Sequence, residues 1–124
     1  MVVYQQNITS GISNDIYDII FNYLETKDVS TPYKINLHQN YPNPFNPTTL
    51  IQYDLPEKSY VSITIYDLMG KRVKTLVNSK QDAGYRSIHW NATSDLGQPV
   101  SAGMYIYTIQ AGEFRQTRKM VLLK

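Results

Sequence analysis

Apolar positions change their spacing partway along the chain. Between residues 16 and 24, Ile16, Ile19, Ile20, Tyr23 and Leu24 recur at i, i+3, i+4, i+7 and i+8, which is one stripe of a helix. Ser13 or Asn14 can cap its start, and Asp15 in the first turn suits the positive end of the helix dipole. The helix fades around Thr26–Asp28, before Ser30, Thr31 and Pro32. A lone helix cannot bury such a stripe. It needs the following domain, an upstream module or another chain, so self-association through this helix is one expected outcome.

From residue 33 the period drops to two. Ile51, Tyr53 and Leu55 share one face of a run over Leu50–Leu55. Over Tyr60–Tyr66, Val61, Ile63 and Ile65 turn inward while Ser62 and Thr64 turn outward. Further β-prone runs are Arg72–Val77, Tyr85–Trp90, Met104–Ala111 and Phe114–Leu123, and Ile35–Leu37 adds a short seventh. Turn residues separate them. Pro56–Ser59 joins the first pair, and Asp67–Gly70 has the Asp and Gly of a type I turn. Asp82–Gly84, Ser94–Pro99 and Ala111–Gly112 follow. Six or seven short strands punctuated in this way predict an all-β, Ig-like antiparallel sandwich of about seven strands, with a small open barrel as the alternative. The N-terminal helix is an appendage to it.

Charge divides the chain at the same place. Residues 1–32 hold one basic and four acidic side chains, a net of −3, whereas residues 33–124 hold 11 basic and six acidic, a net of +5. Two domains are therefore expected: a helical segment or linker at 1–32, belonging to an upstream module, and a β-sandwich at 33–124. The overall charge of +2 is too small to point to nucleic acid. There is no cysteine, so disulfides, thiolate metal sites and a Cys nucleophile are excluded. No stretch approaches the roughly 20 apolar residues of a membrane span, and residues 1–30 do not read as a signal peptide. Tyrosine is abundant at 11 copies, which again favours strands.

Several short motifs stand out. Tyr41-Pro42-Asn43-Pro44-Phe45-Asn46-Pro47 places three prolines in six residues and reads as a rigid arm before the first core strand. Ile65-Tyr66-Asp67-Leu68-Met69-Gly70-Lys71-Arg72-Val73 is a strand–turn–strand unit. Ala83-Gly84-Tyr85 with Trp90, and Ser101-Ala102-Gly103-Met104-Tyr105 with Tyr107, follow in order. The chain closes on Arg118-Lys119-Met120-Val121-Leu122-Leu123-Lys124. Together these motifs resemble the type A C-terminal sorting domain of the type IX (Por) secretion system, over about 90 residues. The Ig-like domain of the flagellar hook-capping protein is a related pattern.

The resemblance implies a non-catalytic signal that directs a cargo protein through the type IX machine. It implies passage through the periplasm, delivery to the cell surface or medium, and surface attachment after cleavage. The implied partners are translocon components, a surface sortase-like protease and an upstream cargo domain. The stretch around Lys27–Tyr33 is the expected cleavage region. The implied motif positions are Tyr41, Pro42, Asn43, Pro44, Phe45, Asp67, Gly70, Lys71, Val73, Gly84, Gly103, Tyr105, Lys119, Met120, Val121 and Lys124. Gly103 is expected to permit a close strand approach or a bulge.

The residues leave a competing reading, a carbohydrate- or protein-binding module. Tyr60, Tyr66, Tyr105 and Tyr107 lie at even separations and would then share one face for stacking on sugar rings. The basic residues Arg115, Arg118, Lys119 and Lys124 either guard the last strand as an edge or make it a recognition strand. Catalysis has little to build on. His38 and His89 are the only histidines and neither has a Ser–Asp or metal-ligand pattern in the nearby sequence. Asp54 and Glu57 read as solvated residues of a turn. No cofactor or metal is expected.

Overall fold

Six of the seven strands anticipated from the β-prone runs form within a residue of their expected limits, and the fourth of the long runs extends four residues beyond Arg72–Val77. The computed structural model describes residues 31–124. The anticipated helix falls outside the described residues, as does most of the segment 1–32. Among the described residues there are seven strands: β1 (Asn36–Leu37), β2 (Thr49–Leu55), β3 (Ser59–Tyr66), β4 (Arg72–Gln81), β5 (Gly84–Trp90), β6 (Gly103–Ala111) and β7 (Phe114–Leu122). They make two antiparallel sheets, ordered β1-β2-β5 and β4-β3-β6-β7. This is the strand order of an immunoglobulin constant-type sandwich, with the fourth strand moved to the second sheet.

Alternation decides what is buried. Ile51, Tyr53 and Leu55 of β2 face Val61, Ile63 and Ile65 of β3 and Tyr105, Tyr107 and Ile109 of β6 in one core, with Trp90, Met120 and Leu122. Among the long strands that flank the core, β4 contributes one buried side chain, Val77. It also runs four residues further than its hydrophobicity suggests. Asn78–Gln81 are polar, but β3 supplies partners for them from Ser62 back to Ser59.

Register fixes the two ends of the sandwich. Thr49 pairs with Trp90, Tyr66 with Arg72, and Gly103 with Leu122, so these six residues lie at one end. Leu55 pairs with Gly84, Ser59 with Gln81, and Ala111 with Phe114, at the other. β1 runs from the second end to the first, since Asn36 pairs with Asp54 and the bridge of Tyr41 to Leu50 follows. The chain thus approaches from the second end and delivers the proline-rich arm to the first.

Three expectations need correction. The four tyrosines do not share a face. Tyr105 and Tyr107 point into the core, while Tyr60, at 56% exposure, and half-buried Tyr66 are on the outer side of β3. Gly103 has no close neighbour, because a Cβ there would meet nothing within 4 Å. Its φ of +143° is what calls for glycine. Asp54 is not a solvated turn residue. It belongs to β2 and pairs with His38 at 2.9 Å, the histidine whose sequence neighbours offered no partner.

Candidate functional site: the arm and the last strand

The arm crosses the first end of the sandwich and fastens to β7. Phe45 is the anchor, 2% exposed, with its ring 5.8 Å from that of Trp90. Trp90 in turn meets Tyr105 edge-on at 5.5 Å. The Phe45 N–H donates to the Val121 carbonyl at 3.0 Å, and the Leu123 N–H donates to the Phe45 carbonyl at 2.8 Å. This is a single parallel bridge on the outer side of β7. Asn43 extends it, since its Oδ1 accepts from the Val121 N–H at 3.0 Å. The Gln39 side chain donates to the Lys119 carbonyl at 2.8 Å. All three X–Pro bonds of the arm are cis.

Buried polar groups hold the base of the arm. Tyr107 Oη accepts from the Asn40 N–H and donates to the His38 carbonyl, both at 2.7 Å. Burial pushes its pKa up to about 12, against smaller lowering effects from the Asn40 bond and Arg118. Asn40 Nδ2 donates to Thr49 Oγ1 and to the Pro42 carbonyl, and Thr49 Oγ1 donates to that same carbonyl. Asn40 and Thr49 are therefore buried without being orphaned.

The other motifs arrive at the same end. In the β3–β4 turn, Asp67 Oδ1 accepts from the N–H groups of Met69 and Lys71, each at 2.9 Å. Gly70 sits at φ +86°, where a side chain would be strained. Val73 packs against the core edge. Tyr105 Oη donates to the Ser101 carbonyl at 2.6 Å, bracing the lead-in to β6. Burial raises its pKa, and the charge of Asp67 adds to that.

Among the motif positions, the structure thus brings Tyr41–Phe45, Asp67, Gly70, Lys71, Val73, Gly103, Tyr105 and Lys119–Lys124 to one end. Gly84 is left out, at the opposite end opposite Leu55. The positions divide by burial. Phe45, Tyr105 and Met120 are core, whereas Tyr41, Pro42, Asn43, Pro44, Lys71, Lys119 and Lys124 are exposed.

Exposed apolar side chains that no sequence motif flagged as a set gather there too. Nine large hydrophobic residues are exposed among the described residues. Six of them, Tyr41, Leu68, Met69, Leu96, Met104 and Leu123, lie on this end, with Met69 at 91% and Leu96 at 87%. The available signal was the Leu-Met pair inside a turn, where polar residues are the norm.

The His38–Asp54 pair lies on the outer face of the three-stranded sheet, in a shallow depression shared with Ser87. β2 separates β1 from β5, which puts Ser87 two strand spacings, roughly 9–10 Å, from His38. That is too far for a nucleophile–base hydrogen bond. Among the described residues no group of three metal-ligating side chains occurs.

The molecule is thus a small two-sheet sandwich with most of the motif residues and exposed apolar side chains gathered at one end. The chain belongs to the secretion system C-terminal sorting domain family, whose pattern matches residues 39–123. It is a type IX sorting domain, and a protein that carries one is exported across the outer membrane to the cell surface or the medium. Two solved structures share the fold. Dimeric latent PorU from Porphyromonas gingivalis matches at TM-score 0.55 and 21% identity, over 72% of this chain and 9% of that one. PorZ, a surface component of the type IX secretion system of the same bacterium, matches at TM-score 0.52 and 18% identity, over 72% of this chain and 12% of that one. The chain therefore spans about a tenth of the length of either. FLGD from P. aeruginosa is similar at TM-score 0.48 and 22% identity, over 64% of this chain and 67% of that one. No curated protein matches the sequence.

Proposed function

We propose that the arm end of the sandwich is the surface read by the type IX translocon, with the proline-rich arm and the last strand acting as one composite epitope. The observation that carries this is the convergence at one end of distant motif residues with six exposed apolar side chains. Apolar patches rimmed by charge, here Lys71, Lys119 and Lys124, are the usual makings of a protein docking surface. The arm also bears on how the last strand is read. The outer backbone groups of Lys119–Leu123 are largely taken by Gln39, Asn43 and Phe45, so a partner meets side chains there rather than an open strand edge.

In this reading the cargo lies upstream of residue 33. A surface sortase-like protease then cuts in the stretch around residues 27–33, of which 31–33 are described, and the cargo is attached to the surface. The sugar-binding reading loses its basis with the division of the four tyrosines between two faces.

A secretion assay tests the proposal. The chain is fused to the C-terminus of a periplasm-directed reporter in a bacterium with a working type IX machine. Export of the fusion is expected, with periplasmic retention of a folded variant carrying Met69→Ser, Leu96→Ser and Leu123→Ser. Undiminished export of that variant would remove the arm end as the recognition surface. A deletion of Lys119–Lys124 also removes the core residues Met120 and Leu122, so circular dichroism run alongside tells loss of folding from loss of recognition.

A further inference from the structure

Two sheets have four edges, and three of them carry an identifiable block. The outer edge of β7 is held at Lys119–Leu123 by the arm. The outer backbone of β1 is held at Leu37, whose N–H donates to Gln116 Oε1 and whose carbonyl accepts from Gln116 Nε2 and Arg118 Nε. β4 has two register shifts against β3, and Asp95 clasps it by donating its N–H to the Val73 carbonyl and accepting from the Thr75 N–H. Bulges and caps of this kind keep edge strands from pairing with other chains.

β5 has no such block. It runs seven residues in unbroken register with β2 and, among the described residues, has no neighbour on its other side. Leu50 of β2 exchanges both backbone bonds with Tyr41, and the Gln52 carbonyl accepts from the His38 N–H, so these residues turn their backbones away from β5. Ile51 and Tyr53 then bond Ile88 and Arg86. Alternation leaves the N–H and C=O groups of Tyr85, Ser87 and His89 on the open edge.

A groove of ≈ 430 Å³ separates this edge from β4, floored by Val77 and the half-buried Leu76 and Ile88. A second depression of ≈ 330 Å³ continues it past Trp90. One end is closed by Gln81 Oε1, which accepts from Tyr53 Oη and Arg86 Nε, and the other by Trp90 Nε1 donating to the Thr93 carbonyl. The lining carries Lys74, Arg86 and His89 and no carboxylate.

We propose that the open edge of β5 is a strand-addition site for an extended, acidic polypeptide segment of another protein. The segment pairs with Tyr85, Ser87 and His89, covers Leu76 and Ile88 with apolar side chains, and sets carboxylates against Lys74, Arg86 and His89. Charge selects this occupant over a second copy of the chain. Antiparallel pairing of β5 with itself about Ser87 would bring a second Arg86 and His89 to a groove without a carboxylate. The site runs along the β4/β5 side, meets the arm end only near Trp90, and does not depend on the export reading.

The test uses the full chain and a short synthetic peptide alternating valine with glutamate, followed by residue-resolved amide hydrogen exchange. Binding is expected to slow exchange at Tyr85, Ser87 and His89 by about tenfold or more, and a valine–lysine peptide is expected to bind about tenfold more weakly. Ser87→Pro removes an edge N–H without touching the β2 ladder and is expected to weaken binding about tenfold. Lys74→Glu leaves the backbone intact and weakens it as well, which guards against misfolding of the proline variant. Equal binding of the lysine peptide would overturn the acidic chemistry. Self-association of the free chain that Ser87→Pro abolishes would replace the partner with a second copy. Protection at Arg115 and Thr117 alone would move the site to β7.

Discussion

The two long sides of this sandwich are built differently. On the β1/β7 side the sheets are stitched together: Gln116 and Arg118 reach from one to the backbone of Leu37 in the other, and the arm lies along the strand end. On the β4/β5 side a groove runs between the edges, closed at one end by the Arg86–Gln81 bond and at the other by the loop around Ser94 and Asp95, which bonds Val73, Lys74 and Thr75. The closed side contains the proline-rich arm and the terminal strand. These segments have a structural purpose whatever their part in the proposed recognition, because the terminal strand is held in place by the arm that precedes β2.

The largest expected effect probes this difference directly. Phe45→Ala removes a buried ring from the Trp90–Tyr105 cluster and should cost about 3–5 kcal/mol of stability. Leu76→Ala, at the groove, strips a half-buried side chain and should cost about 1–2 kcal/mol. Denaturant titration of the two variants compares the sides. Equal losses would mean that the arm is not part of the folded core.

Next is Tyr107, whose hydroxyl ties β6 to the base of the arm. Tyr107→Phe leaves the Asn40 N–H without its acceptor and should cost about 1–3 kcal/mol. The pH dependence provides a second readout. A tyrosine whose folded pKa lies above the ordinary 10.0 is held neutral by the fold. Its contribution is complete below that value and is lost as the pH climbs towards about 12, because the unfolded chain gives up the proton first. Stability should fall over that window in the native chain and fall less steeply in Tyr107→Phe. Matching alkaline slopes would show that Tyr107 is not the group responsible.

How far the sequence reveals all this depends on the range of the interaction. Strands were legible because alternation is local, as in Val61, Ile63 and Ile65. The face of β6 was not, because Met104–Ile109 is apolar at both parities and nothing local says that Tyr105 and Tyr107 point inward. Even spacing between Tyr66 and Tyr105 carried no information either, since the register Ile65↔Tyr107 sets their faces independently. The His38–Asp54 pair becomes readable only once β1 is laid against β2. The clasp between Asn43 and Val121 spans nearly the whole domain and uses a backbone donor, which leaves no mark in the sequence beyond an unusual motif at each end. The bare edge of β5 is an absence of partners among the described residues and has no residue signature at all.

The smallest effect separates two residues that do the same job on the two sides. Asn43 Oδ1 accepts from the edge N–H of Val121, and Asp95 Oδ1 accepts from the edge N–H of Thr75, each at 3.0 Å. Replacing either with alanine frees one edge donor to water and should cost about 1 kcal/mol, with faster amide exchange confined to the strand concerned. The consequences should then diverge. Asn43→Ala loosens the arm from β7 and should lower export of a fused reporter, because it disturbs the proposed recognition surface. Asp95→Ala also releases Arg72, its partner at 3.4 Å, and uncovers the β4 edge beside the groove. It should lower export less than Asn43→Ala does, while raising self-association in size-exclusion chromatography. If both variants lost export alike, the two sides would not be functionally distinct, and recognition would extend over the whole sandwich.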